Sequence, residues 1–269
     1  MKKITRILAA LCAAVLALGM FASCSSGNSD MQYVKSNGKL IIGITYFAPM
    51  DYFDTDGTTL IGFDHDLAVE VCKKLGVTPE FQEIDWTKKE VELNAKTIDC
   101  IWNGMTVDPD RAANMELTSN YMKNRQVVVV KQEKAAEITS VDSLSGLTGV
   151  AEGGSAGESI IKKNAALAAK YVAAETQAYA LLEVKSGTAD YCVIDSVMAN
   201  SLIKAEGSDY ADLAIVENLT LAEDEFYAVA FRKGSDLAAK VSEILADLVK
   251  DGTVDKIAAK YGLSDVIVK

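Results

Sequence analysis

Two hydrophobic periods take turns along this chain. Short apolar, β-branched runs at 39–44 (KLIIGI), 80–84, 98–102, 126–130 (QVVVV), 149–152, 171–173 and 225–231 (EFYAVAF) read as buried strands. Between them lie segments with helical marks. The clearest, 62–76 (GFDHDLAVEVCKKLG), opens with acids, carries Lys73 and Lys74 in its last turn and closes on Gly76. Residues 87–95, 155–170 and 175–186 predict further helices, and 237–250 and 254–261 predict two amphipathic ones near the end. Strand and helix in alternation predict an α/β fold with parallel sheets covered on both faces. The alternation restarts after the polar stretch 123–125. KTIDCIWN at 96–103 and GTADYCVID at 187–195 share a turn, a Thr-x-Asp and a cysteine-bearing strand ending in a polar residue. Two lobes of related design are expected, each aiming a strand end at a shared cleft.

The stretch 96–111 (KTIDCIWNGMTVDPDR) carries the best candidate chemistry. Asn103, Gly104 and Thr106 turn the chain at a strand's C-terminal edge, where open α/β sheets hold ligands. Asp108 before Pro109 is a helix start, with proline at the first helical position. Arg111 then falls in the first turn, beside loop amides and a threonine hydroxyl, apparatus suited to gripping both oxygens of a carboxylate. Spacing alone leaves a surface ion pair with Asp108 or Asp110 as the alternative.

The N-terminus changes the picture of where the chain works. Lys2, Lys3 and Arg6 precede the uncharged, apolar 7–22, and small residues lead to Cys24. This is the pattern of a signal peptide over 1–23, too short for a membrane span. Cys24 sits as in a bacterial lipobox, although Phe21 replaces the usual aliphatic residue, and 24–30 reads as a polar tether. Removing the signal leaves 24 basic and 38 acidic residues, a net −14. That excess disfavours nucleic acid and anionic membranes as main partners. Cys72, Cys100 and Cys192 lie in apolar contexts, so buried thiols are expected and not a disulfide framework. The single histidine, His65, reads as a polar turn at a helix start. No metal spacing or cofactor motif is present, so neither is expected.

Gly153-Gly154-Ser155 before a helix has no Gly-Lys-Thr ending, which weakens a nucleotide reading; a helix N-terminus also suits a carboxylate. No nucleophile elbow, Ser/His/Asp set or Cys/His pair supports catalysis.

Taken in order, Phe47-Ala48-Pro49-Met50, GFDHDLA, Trp86, LNAKTID, IWNGMTVDPDR, YMKNRQVVVV, GTADYCVID and DGTVDKIAAKYG resemble the polar-amino-acid family of bacterial extracellular solute-binding proteins. The match runs from about Gly38 to Gly262. The resemblance implies a two-lobed periplasmic-binding-protein (Venus flytrap) fold with two crossing segments, near 123–125 and 225–227. Lobe 1 would hold 31–124 and 227–269, and lobe 2 would hold 125–226. It implies that Arg111 binds a ligand α-carboxylate, helped by Thr106 and the loop amides at Ser155. Asp195 would take the α-ammonium with groups of Asn103 and Gly104, and Phe47, with Tyr46 and Trp102, would cover the side chain. Core packing is the alternative for Trp102, and Met105 reads as a packing residue. Two departures stand out: a short loop before Phe47, which touches any role of Thr45, and Ala156 where polar residues are common.

The implied function is a lipid-anchored monomeric receptor that delivers a free amino acid to an ABC permease and ATPase. An enzyme on the same fold, resembling cyclohexadienyl or arogenate dehydratases, is the alternative, and a sensor domain is a third. No second lysine or arginine falls at a position matching the site, while Glu152 adds a carboxylate if it points inward. Neutral polar or basic amino acids are therefore expected over acidic ones.

Overall fold

The computed structural model describes residues 29–269. The expected signal peptide, the lipidated Cys24 and the tether up to residue 28 lie outside the described residues. Ser29 caps helix α1 (Asp30–Asn37), which leads into β1 (Lys39–Ile44). A small hairpin, β2 (Tyr52–Phe53) and β3 (Leu60–Ile61), precedes α2 (Phe63–Leu75) and β4 (Thr78–Glu83). A 3₁₀ turn (Trp86–Lys88), α3 (Lys89–Asn94), β5 (Cys100–Ile101), α4 (Pro109–Asn114) and β6 (Met115–Leu117) follow. Strand β7 (Met122–Asn124) crosses to the second unit of β8 (Gln126–Lys131), β9 (Gly149–Glu152), α5 (Ala156–Lys163), α6 (Ala165–Ala168) and β10 (Tyr171–Ala174). That unit continues through α7 (Gln177–Ser186), β11 (Tyr191–Asp195), α8 (Ser196–Ile203) and β12 (Leu213–Ile215). Strand β13 (Glu225–Tyr227) crosses back to β14 (Ala230–Arg232), α9 (Leu237–Lys250) and α10 (Thr253–Lys260).

Two five-stranded sheets result, ordered β4-β1-β5-β14-β6 and β10-β9-β11-β8-β12. In each, three parallel strands are followed by antiparallel ones, and β5 and β11 hold the same central place. The similar stretches at 96–103 and 187–195 thus occupy equivalent positions. Antiparallel pairing of β7 with β13 joins the two lobes.

The central strands of each sheet are buried on both faces, which explains their continuous apolar runs. In β8, Val127 and Val129 enter one core while Val128 and Val130 enter the other. Cys192 and Ile194 of β11 likewise oppose Tyr191 and Val193. The three cysteines of the described residues are free and buried.

Several elements differ from the sequence reading. Residues 225–231 form two short strands in different sheets, because Ala228 and Val229 turn aside to bond Met105 and Thr118. The helix expected over 155–170 breaks at Asn164, whose side chain caps α6. Asp30 belongs to the folded body and not to a tether: it pairs with Arg232 at 3.0 Å, and Arg232 also bonds the carbonyls of Leu93 and Ile98. His65 lies within α2, with Nδ1 3.0 Å from Asp66 and its ring on Phe81.

Candidate functional site

The C-terminal ends of β1, β5, β9 and β11 converge on a narrow cavity between the lobes. Lobe 1 contributes Phe47, Trp86, Asn103, Gly104, Thr106 and Arg111; lobe 2 contributes Glu152, Ser155, Ala156, Gln177 and Asp195.

Arg111 is held by its own helix start. Asp108 caps α4 through Arg111 N and lies 3.2 Å from Nε, with Pro109 as first helical residue. Nη1 donates to Thr106 O at 2.7 Å and Nη2 to Gly154 O, across the cleft, at 3.1 Å. One N–H on each terminal nitrogen is left, the fork a carboxylate needs. The ion pair with Asp108 and the position in the cavity coexist, so the two sequence alternatives are not exclusive.

The loop after β5 is shaped by lobe 1. Gly104 has φ +53°, and a Cβ there would lie 2.5 Å from Phe47 Cε1, so the ring packs flat only against glycine. The side chain of Asn103 is committed inward: Oδ1 accepts from Thr45 N and Oγ1, and Nδ2 donates to Thr45 O and Asp51. Gly104 N donates to Asp64. These two residues therefore meet the cavity with backbone and not with side-chain donors. Thr106 gives its hydroxyl to Glu225 at 2.9 Å.

On lobe 2, Ser155 is the N-cap of α5, and the amides of Gly154 and Ser155 bond Glu158 and Glu152 O. The first-turn amides of α5 that remain, at Ala156 and Gly157, supply the partial positive charge of a helix start. Asp195, 4% exposed, accepts from the side-chain amides of Asn124, Gln126 and Gln177. Burial, then the charge of Glu225, pushes its carboxyl above the usual range, against the pull of those amides. Glu152 is 3% exposed and its Oε1 meets no donor among the described residues. Burial first, and Asp195 next, push its carboxyl up to about 8, opposed by Lys89 and Arg111.

Two residues expected at the site are elsewhere. Trp102, just after β5, is wholly buried in lobe 1 beside Tyr121, where its ring joins the core. Tyr46 packs against Phe53 with the rings tilted and their centroids 4.7 Å apart, outside the cavity. Trp86 and Gln177 were not anticipated as lining residues. Lys89, which the sequence did not single out, stands beside Trp86. Its ammonium, 6% exposed, bonds Trp86 O and Gly154 O, each at 3.0 Å, and stands 4.9 Å over the Trp86 ring. Burial, then repulsion from Arg111, holds it down to about 8. It braces the cleft wall without lining the cavity.

The arrangement can hold an anion at Arg111 and the start of α5, and cationic groups at Asp195 and Glu152. A model of the bacterial extracellular solute-binding proteins, family 3, matches residues 40–264. The chain belongs to this family. Among curated relatives of this solute-binding protein, the L-cystine-binding protein TcyA of Bacillus subtilis is 28% identical over 267 residues, covering 94% of this chain and 96% of the relative. The arginine-binding extracellular protein ArtP of the same organism is 27% identical, covering 97% and 98%. A histidine-bound substrate-binding protein of an ABC uptake transporter from Streptococcus pneumoniae superposes with TM-score 0.82 at 34% identity, covering 91% and 100%. The ancestral amino-acid-binding protein AncCDT-1, a precursor of cyclohexadienyl dehydratase, gives 0.78 at 30%, covering 87% and 99%. The fold is the two-lobed Venus flytrap of amino-acid-binding proteins, and no helix among the described residues is long and apolar enough to cross a membrane.

Proposed function

We propose that this solute-binding protein closes around one free amino acid with a basic or neutral polar side chain and delivers it to an ABC permease and ATPase. Arg111 and the first turn of α5 take the α-carboxylate. Asp195 takes the α-ammonium, with carbonyls of the Asn103–Gly104 loop. Phe47 and Trp86 flank the side chain. A zwitterion neutralises both ends of such a pocket, whereas a simple acid or amine strands one buried charge. Residues 31–124 with 227–269 form one moving unit and 125–226 the other, hinged at β7 and β13. A lipid on Cys24 anchors the monomer to the outer face of the cell membrane.

The observation that carries the side-chain class is Glu152, a buried carboxyl with an unsatisfied oxygen beside the cavity. A cationic side chain would pair it; a neutral polar one would accept a hydrogen bond from its protonated form. A glutamate or aspartate side chain would bring a buried anion beside a second acid, while Arg111 holds the α-carboxylate and Lys89 is already engaged on two carbonyls. Thermal-shift titration of ligand-stripped protein with all twenty amino acids tests this. Arginine, histidine or glutamine should lead; glutamate or aspartate leading overturns it.

A second reading has one observation in its favour. Glu152, a carboxyl that burial pushes upward beside the cavity, suits a general acid, and AncCDT-1 is a precursor of cyclohexadienyl dehydratase. Turnover of prephenate or arogenate by the purified protein would establish it, and no product would leave the receptor.

A further inference from the structure

Asn124, Arg125 and Gln126 end the first crossing and open lobe 2, and their side chains alternate along the extended chain. Arg125 leaves on one side to meet Glu217, and Asn124 and Gln126 leave on the other. Asn124 stands opposite Glu225 in the β7–β13 ribbon, and Gln126 stands opposite Asp195 in the lobe 2 sheet. Cross-strand neighbours share a face, so two side-chain amides are set between two carboxyl groups.

The contacts follow that register. Glu225 Oε1 accepts from Asn124 Nδ2 at 2.6 Å, from Gln126 Nε2 at 2.7 Å and from the Thr106 hydroxyl at 2.9 Å. The same two amide nitrogens also donate to Asp195 Oδ1. An NH2 group carries two hydrogens, so each amide spends one on each carboxyl group. The Asn124 amide cannot turn over, because its Oδ1 accepts from Ser196 Oγ at 3.0 Å and Val197 N at 3.3 Å.

This junction joins every part that would move. Thr106 belongs to lobe 1 and is bridged to Tyr227, with Val107 N on Phe226 O at 2.8 Å. Asn124 lies on the outgoing crossing, Glu225 on the returning one, and Gln126 at the start of β8. A single oxygen therefore holds both crossings and both lobes, one shared donor away from Asp195. Glu225 itself is half-buried and lies outside the cavity that Thr106 and Asp195 line.

We propose that Glu225 is the positioning residue of the ammonium site: its Oε1 fixes the Asn124 and Gln126 amides that present Asp195, ties them to Thr106, and so holds the closed arrangement on the ligand. The inference rests on the amino-acid-receptor reading. Without that acceptor each amide loses a partner and can rotate off Asp195, and Thr106 is released from lobe 2. Contacts of this kind, complete only in the closed complex, act on ligand release and not on encounter. What the junction needs is an oxygen at this reach, not a charge. Glu225→Gln supplies one, and also relieves Asp195 of a neighbouring anion. Glu225→Asp keeps the charge but falls one methylene short.

The experiment is stopped-flow binding and release of L-arginine, L-histidine and L-glutamine by wild type, Glu225→Gln and Glu225→Asp, with the melting temperature of each protein free of ligand. Glu225→Asp should release the ligand about tenfold faster, with its association rate within about threefold of wild type, and should melt a few degrees lower. Glu225→Gln should match wild type within about threefold in both rates and melt with it. Glu225→Gln impaired and Glu225→Asp intact would make the role one of charge and overturn the proposal. A lower melting temperature in Glu225→Asp with an unchanged release rate would leave Glu225 a structural residue and overturn its positioning role. If wild type binds no amino acid, the receptor reading fails, while the order of melting temperatures still decides whether the crossings need the oxygen at this reach.

Discussion

Replacing Glu152 by glutamine removes one charge from the cavity at nearly constant shape. Burial sets this carboxyl at about 8, so at pH 7 the neutral form outweighs the ionised by about ten to one. Ionising it for a cationic ligand therefore costs on the order of 1 kcal/mol at that pH. Losing one partner of a buried charge pair costs about 2–5 kcal/mol. The net penalty of Glu152→Gln for a basic amino acid is then about 1–4 kcal/mol, a loss of roughly 5- to 900-fold. A neutral polar ligand, which needs no charge at Glu152, should change by less than about threefold. The sign of the pH effect follows: a basic ligand drives a proton off Glu152, so wild-type affinity should climb toward pH 8 and level beyond it. Glu152→Gln should lack that component. Calorimetry in two buffers of different ionisation enthalpy measures both affinity and released protons. Unchanged arginine affinity in the variant, or equal proton release in both proteins, would refute the reasoning.

Arg111→Ala should weaken amino-acid binding by about 2–5 kcal/mol, and Arg111→Lys should rescue little, because a point charge cannot span both carboxylate oxygens; calorimetry within threefold of wild type contradicts this. Asp195→Asn should weaken binding and also lower the melting temperature by a few degrees, since an amide would face the donors of Asn124, Gln126 and Gln177; unchanged melting would mean those amides turn over freely. Lys89→Met removes a bond across the cleft and should speed ligand dissociation roughly fivefold, about 1 kcal/mol, leaving the order of amino-acid preference intact; stopped-flow release at the wild-type rate contradicts it.

Much of this was legible in the sequence, and the reasons are specific. Asp108-Pro109 states a helix start, and that start places Arg111; the QVVVV run states a strand buried on both faces. Strand ends chosen by polar residues, Asn103 and Asp195, also came to the cavity. What stayed hidden depends on which way a side chain leaves its strand or which loop reaches across. Trp102 follows a two-residue strand whose short pairing gives no alternation to read, so its inward direction was open. Trp86 and Lys89 sit on a 3₁₀ turn and the helix after it, and they gain meaning only when Gly154 of the other lobe lands on them. Asn103 looked like a ligand group, yet its four polar contacts lie with Thr45 and Asp51, residues more than fifty positions earlier. Long-range polar closure of this kind leaves no periodic trace.

The most direct measurement is a crystal structure of the protein with the amino acid that binds it most tightly. The account predicts one ligand in the cavity between the lobes, its carboxylate on both terminal nitrogens of Arg111, its ammonium on Asp195 and its side chain reaching Glu152. A ligand seated elsewhere, or one whose carboxylate turns away from Arg111, would contradict it.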